Sequence, residues 1–288
     1  MLLNTYEPWK FAFSSENENI KKNSFGIIGV PFDSTTSYHS GARLGPIVVR
    51  EASFGFEKYN TIFNKELNTV FYDLGDVNVI PGNCKKTCEI IEDTVNELSE
   101  LKIKPILIGG EHSLSIGAIK ALSEKYEKLT VIHFDAHRDL AFEFIEEKYS
   151  HATVMRRCHE FGINLVQIGI RSSSIEEEEF VKSTYNIQTF KNNDVHKHMD
   201  AIEYYLTNID GPIYISIDMD VIDPSIAPSV GNPTPDGLFI SEIETLLETL
   251  SRKNVVGFDV VETASDRLGD VTAIVAAKLI YDFLTLIG

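Results

Sequence analysis

Only three cysteines occur in 288 residues, Cys84, Cys88 and Cys158, and they form no Cys-x-x-Cys pair. An odd, scattered set of thiols supports neither a disulfide framework nor a zinc knuckle, and it fits a reducing cytoplasm. No apolar run approaches the ~20 residues that a membrane helix needs. The stretch from Met1 to Phe13 carries Glu7 and Lys10 where a secretory leader would need an unbroken apolar core. A soluble protein without a membrane partner is therefore expected. Basic residues are scarce, with 26 Lys and Arg against 43 Asp and Glu, and the formal charge of -17 argues against a nucleic-acid partner and suits a cationic small molecule. No Gly-, Ser- or Pro-rich tract marks a linker and no segment repeats. A single domain over 1–288 with a short N-terminal arm, about 1–23, is expected, and 43% apolar residues are enough for a sizeable core.

What is present is an alternation of apolar strands and amphipathic helices. Strands are expected over 25–30, 70–74, 103–108, 130–134, 165–170, 187–190, 213–217 and 255–261. A helix opens at Pro46 and ends near Phe56, since proline suits the first helical turn. A second spans 84–101 with Cys88, Ile91, Val95 and Leu98 on one stripe, which makes Cys84 and Cys88 packing residues. Ser113 is expected to cap a third helix, and Ser174-Ile-Glu-Glu177 reads as a capping box that also accounts for the acidic run that follows. Further helices are expected over 199–207, 241–252 and 270–286. About eight continuous apolar strands alternating with helices imply an α/β fold with a mostly parallel sheet covered on both faces, whose ligands bind at the carboxyl ends of the strands.

The chemistry gathers at those ends. In Thr130-Val-Ile-His-Phe-Asp-Ala-His-Arg-Asp139 an apolar strand runs into three potential ligands spaced two apart, so Asp135, His137 and Asp139 can converge. Ile213-Tyr-Ile-Ser-Ile-Asp-Met-Asp220 repeats the design with Asp218 and Asp220, and Ile106-Leu-Ile-Gly-Gly-Glu-His112 adds a histidine. Four carboxylates and two imidazoles suffice for two divalent ions with shared ligands, and without thiolates they favour Mn²⁺. His133 has the same parity but lies deeper, as a buried residue beneath the ligands or in the core. Asp223, followed by Pro224, reads as a turn residue.

Gly109-Gly-Glu-His-Ser113, Asp135-Ala-His-Arg-Asp139 and Ser216-Ile-Asp-Met-Asp-Val-Ile-Asp-Pro224 resemble the three signature blocks of the ureohydrolase (arginase/agmatinase) family. The likeness extends from Gly29-Val-Pro-Phe-Asp33 and Gly41-Ala-Arg-Leu-Gly-Pro46 to Gly257-Phe-Asp-Val-Val-Glu262. It implies a three-layer α/β/α hydrolase with two Mn²⁺ ions per subunit, usually a trimer or hexamer, that cleaves guanidinium groups by attack of a metal-bridging hydroxide. One ion would be held by His112, Asp135, Asp139 and Asp218, the other by Asp135, His137, Asp218 and Asp220. His151 would be the proton-transferring histidine and Glu262 the acid that pairs with the guanidinium.

Within the family the loop Leu140-Ala-Phe-Glu-Phe-Ile-Glu-Glu-Lys-Tyr149 lacks the Asn- and Thr/Ser-rich character that serves arginine's carboxylate. Thr35-Thr-Ser-Tyr38 and Gly41-Ala-Arg43 are similar to the agmatinase branch, which makes agmatine, cleaved to putrescine and urea, the expected substrate. Aminopropyl-agmatine, guanidinobutyrate and arginine are the alternatives, and a metal-dependent amide deacetylase or a noncatalytic scaffold are rivals from other classes. Two segments, 227–237 and 263–272, depart from the family pattern beside the expected pocket.

Overall fold

Successive residues of the strands feed two different cores. Ile27, Ile106, Ile132 and Ile215 pack into one buried cluster while their neighbours Ile28, Leu107, Val131 and Tyr214 pack into another. A strand buried on both faces needs a helical layer on each side. In this computed structural model, which describes residues 5–6, 9–17 and 20–288, that is the arrangement found. Residues 1–4, 7–8 and 18–19 of the expected N-terminal arm lie outside the described residues.

In chain order the strands are β1 (Thr5–Tyr6), β2 (Phe25–Val30), β3 (Tyr59–Asn60), β4 (Lys65–Glu66), β5 (Phe71–Val77), β6 (Lys104–Gly109), β7 (Thr130–Phe134), β8 (Asn164–Ile170), β9 (Ile187–Lys191), β10 (Pro212–Asp218) and β11 (Asn254–Val261). The helices are α1 (Gly45–Ser53), α2 (Cys84–Glu100), α3 (Ser115–Lys125), α4 (Val154–Glu160), α5 (Ile175–Ser183), α6 (Asn192–Thr207), α7 (Ile240–Ser251) and α8 (Val271–Leu286). One sheet runs in the order β1-β5-β2-β6-β11-β10-β7-β8-β9. Its eight main strands are parallel, and the two-residue β1 adds an antiparallel edge on β5 that the sequence pattern did not suggest. Side chains of α1, α6, α7 and α8 fill one core, and those of α2, α3 and α4 fill the other, giving the three layers. All three cysteines are buried packing residues.

Several local expectations need correction. Ser113 does not cap α3: its hydroxyl donates to Glu111, and His112–Leu114 forms a 3-10 turn that runs into the helix. Helix α6 begins at Asn192, before the expected 199, because a kink at His198 (φ -136°, ψ 36°) breaks the period that marks its later part. Helix α4 was not expected; its first turn is anchored by the Asp139 carbonyl, which accepts from the amides of Met155 and Arg156 at 2.9 and 3.1 Å. The Ser174 capping box forms as read.

Candidate metal centre

Strand parity stacks the chemistry in tiers. On the face shared with α2 and α3, β7 presents Val131, then His133, then Asp135 just past its end, while β10 presents Tyr214, Ser216 and Asp218. These strands are neighbours, with Tyr214 opposite Val131 and Ser216 opposite His133, so the two aspartates emerge side by side. His112 arrives beyond β6 through Gly109 and Gly110. A Cβ on Gly110 would lie 2.0 Å from the Phe32 carbonyl oxygen, which reserves that position for glycine.

One oxygen of each of three acids is tied to backbone, two of them in the manner of an Asx turn and the third to an amide beyond the neighbouring strand. Asp135 Oδ1 accepts the His137 amide, Asp218 Oδ1 accepts the Asp220 amide at 2.8 Å, and Asp220 Oδ1 accepts the Ala136 amide at 3.1 Å. Asp139, held at φ 54°, turns its own carboxylate inward. As a result Asp135, Asp139 and Asp218 each point one oxygen at His112 Nδ1, at 3.2, 3.1 and 3.2 Å. A second group forms around His137 Nδ1, which lies 2.9 Å from Asp220 and 3.5 Å from Asp135. Asp135 belongs to both groups.

The arrangement fits cations. His112 Nε2 lies 2.9 Å from the Ser216 hydroxyl, whose own hydrogen goes to Asp259 at 2.7 Å, so the histidine is the donor of that pair. Its Nδ1 is then a buried lone pair with no hydrogen-bond partner, aimed at three anionic oxygens. Such a convergence is repulsive unless a positive charge stands within it. The same shortage of positive charge acts on the acids themselves: burial pushes Asp139 up to about 6 and raises Asp218, Asp220 and Glu262 as well. Against the cost of burial, Asp220 and Asp135 push His137 up to about 12, and contacts with Asp135, Asp139 and Asp218 raise His112. Carboxylate and imidazole donors of this kind suit a hard or borderline divalent ion.

These groups open into a cavity of about 270 Å³ that is also lined by His151, Glu262, Phe144, Asn232 and the serines 172–174. All eight residues singled out from the sequence therefore meet in one place. Glu262 sits at φ 64° just past β11, and its Oε1 accepts the His112 amide at 2.8 Å. Gly231 packs directly on it: a Cβ there would lie 2.7 Å from Glu262 Oε2. His151 is held by the Thr35 hydroxyl, which accepts its amide at 3.0 Å, by a 3.2 Å contact of Nε2 with Ser37 Oγ, and by the edge of Phe144 with ring centres 5.1 Å apart. Burial first, then repulsion from His112 and His137, lowers its pKa to about 4, so the imidazole is neutral.

Sequence reasoning missed the partners of His137 Nε2, Asn232 at 3.1 Å and Thr234 at 3.3 Å. Both lie in the departing segment 227–237, whose difference from the family pattern was the signal available. Of that segment Gly231 and Asn232 reach the cavity, whereas nothing in 263–272 lines it. The two segments lie against each other instead: Ser229 receives Ala264 N–H on its carbonyl and gives its amide to Thr272, each at 2.9 Å. Asp223 is the turn residue expected, accepting the amides of Ser225 and Gly237 at 3.0 and 2.9 Å.

A three-layer fold with acids and imidazoles converging at the carboxyl ends of its parallel strands presents a site that could hold metal, at the place where such sheets bind ligands. The profile of the arginase family matches residues 23–285, and the chain belongs to that family. It is 38% identical over 97% of its length to an N(1)-aminopropylagmatine ureohydrolase from Thermococcus kodakarensis, covering 95% of that protein. It is 36% identical over 98% to an agmatinase from Pyrococcus horikoshii, covering 97%. The crystal structure of agmatine ureohydrolase of Thermoplasma volcanium superposes with a TM-score of 0.87 at 32% identity, covering 98% of this chain and 95% of that one. The protein is thus a ureohydrolase near the agmatinase branch, a hydrolase of guanidino carbon–nitrogen bonds.

Proposed function

We propose that this ureohydrolase cleaves agmatine to putrescine and urea with two Mn²⁺ ions per subunit. The observation that carries the substrate class is the cavity wall: beyond the aspartates that would hold the ions it presents Glu177 and Glu262 and, among the described residues, no lysine or arginine. Such a wall suits a cation at both ends of a methylene chain, and it offers arginine's carboxylate no charged partner. Phe144 and Ala141 supply apolar surface for the methylenes. The identity to an N(1)-aminopropylagmatine ureohydrolase supports a second reading, in which the chain takes that longer guanidine with the same chemistry.

His112, Asp135, Asp139 and Asp218 would hold one ion and Asp135, His137, Asp218 and Asp220 the other; together they would supply a water made nucleophilic near neutral pH. The residues of the chain do the rest. Glu262, its Oε1 fixed by the His112 amide, directs Oε2 toward the guanidinium for a charge-assisted hydrogen bond. His151, neutral in its buried setting, takes up a proton and returns it to the departing amine. The chain folds as one domain with an N-terminal arm, works in the cytoplasm, and assembles with copies of itself into a trimer or hexamer. Exposed Leu44, Ile47, Phe54, Leu268, Val271 and Ile274, on and around the packed pair α1 and α8, provide an apolar surface for that assembly. No helix among the described residues is long and apolar enough to cross a membrane.

The test is urea release by the Mn²⁺-loaded protein from agmatine, aminopropyl-agmatine, guanidinobutyrate and arginine in parallel. Agmatine is expected to give the highest kcat/KM. Preference for aminopropyl-agmatine would move the assignment to the second reading, and no urea from any of the four would remove it.

A further inference from the structure

His133 is close enough to His112, Asp135 and Asp139 to count among the ligands of one ion. The hydrogen bonds around it give it a different task. Arg138, 2% exposed, has only hydrogens to offer: Nε donates to Glu178 at 2.6 Å, and Nη1 donates to Gln167 Oε1 at 2.8 Å and to Thr189 at 3.1 Å. Gln167 must therefore turn its oxygen toward Arg138 and its nitrogen away. That nitrogen gives one hydrogen to the Arg138 carbonyl at 2.8 Å and the other to His133 Nδ1 at 3.1 Å. With Nδ1 accepting, the ring hydrogen of His133 resides on Nε2 and is donated to Asp135 Oδ2 at 2.8 Å. His133, Gln167 and Thr189 are register partners on β7, β8 and β9, so three adjacent strands hold this polar row one tier beneath the ligands.

We propose that His133 is a positioning residue that aims the shared carboxylate of Asp135, and that it does not ligate metal. Its hydrogen on Oδ2 and the His137 amide on Oδ1 fix the carboxylate plane from both sides. One oxygen is then directed to the His112 group and the other to the His137 group. Arg138 and Gln167 set the direction of the row, because reversing any bond in it would leave a buried donor facing a donor.

The inference rests on the two-ion reading, and a titration of the metal-free protein with Mn²⁺, followed by the electron paramagnetic resonance signal of free aqueous Mn²⁺, separates the two. Two ions bound per wild-type chain are required; fewer would overturn the reading itself. Three variants then address His133. His133→Leu removes the donor and is expected to weaken Mn²⁺ binding roughly 10- to 100-fold. His133→Gln keeps a nitrogen donor and should recover most of that affinity with two ions bound, and Gln167→Met, which frees the ring proton, should fall between. A His133→Leu protein with wild-type affinity would overturn the proposal. So would a His133→Gln protein that holds one ion only, since that result makes His133 a ligand. If His133→Leu does not fold, as judged by circular dichroism, Gln167→Met decides: weakened binding of two ions supports the row, and unchanged binding refutes it.

Discussion

The floor of the cavity is carried by strands and its mouth by loops, and the two regions differ in what fixes each side chain. On the floor His112 and Asp135 are 1% and 0% exposed, and each has its spare polar atoms engaged by the tier below, Ser216 and Asp259 for one and His133 for the other. At the mouth Phe144 stands beside a two-residue turn, Ile145 and Glu146, both left-handed at φ 49° and 63°, closed by mutual backbone bonds of 2.9 Å between Phe144 and Glu147. A β-branched residue there is strained, and Ile145 is 80% exposed, so no packing compensates. Among the loop's ties to the body is Phe142, whose ring lies 5.6 Å from the Arg156 guanidinium and whose carbonyl accepts from Arg157 at 3.2 Å. Strand parity fixes the chemistry; loops of individual shape fix what reaches it.

Substitutions on either side should separate these roles. The largest effect is expected on the floor: Asp135→Asn should release metal and lower kcat/KM by at least about 10⁴, or roughly 5 kcal/mol of transition-state stabilisation. Atomic absorption after dialysis checks the metal content. Next, His151→Ala should cost on the order of 10² to 10⁴ in rate while keeping its metal; a variant with full activity across pH would remove His151 from the mechanism. At the mouth, Phe144→Ala should raise KM for agmatine about 10-fold, near 1.4 kcal/mol, with kcat little changed. A fall in kcat at constant KM would show instead that Phe144 serves His151.

Two smaller effects concern stability. Asp139 holds its proton up to about 6 in the metal-free fold, above its ordinary 3.8, so the stability this group contributes is full below about pH 4 and is lost as pH rises through about 6. Added Mn²⁺ should therefore raise Tm more at pH 8 than at pH 5, and equal shifts would contradict the assignment of Asp139 as a ligand. Ile145→Asn should relieve left-handed strain and raise stability by about 0.5 to 1 kcal/mol, a shift of about 1 to 2 °C in thermal melting. No gain would mean that the turn is not strained.

The same contrast explains what the sequence revealed. Asp135, His137, Asp139, Asp218 and Asp220 were legible because a period of two, running off the end of an apolar strand, states both position and direction. The same parity left His133 either beneath the ligands or in the core, and the structure puts it 2.8 Å from Asp135 Oδ2. Ser113 misled because a serine ahead of an apolar run resembles a cap, while its hydroxyl was taken by Glu111 two residues away in sequence. Helix α4 was hidden because its anchor, the Asp139 carbonyl, lies fifteen or more positions upstream of the amides it receives. Thr35, Ser37, Asn232 and Thr234 reach the site by loop paths that no periodicity encodes.

Gly231 sets a limit on redesign. Its missing side chain is what lets the loop from 229 to 232 lie against Glu262, since even a methyl group would arrive within 2.7 Å of the carboxylate oxygen. Anyone wishing to graft a different specificity loop onto this scaffold can vary Asn232 and Thr234, which touch His137 from outside, but must leave position 231 bare. A loop library that ignores this would displace Glu262, the acid proposed to pair with the guanidinium, before it sampled a single new substrate.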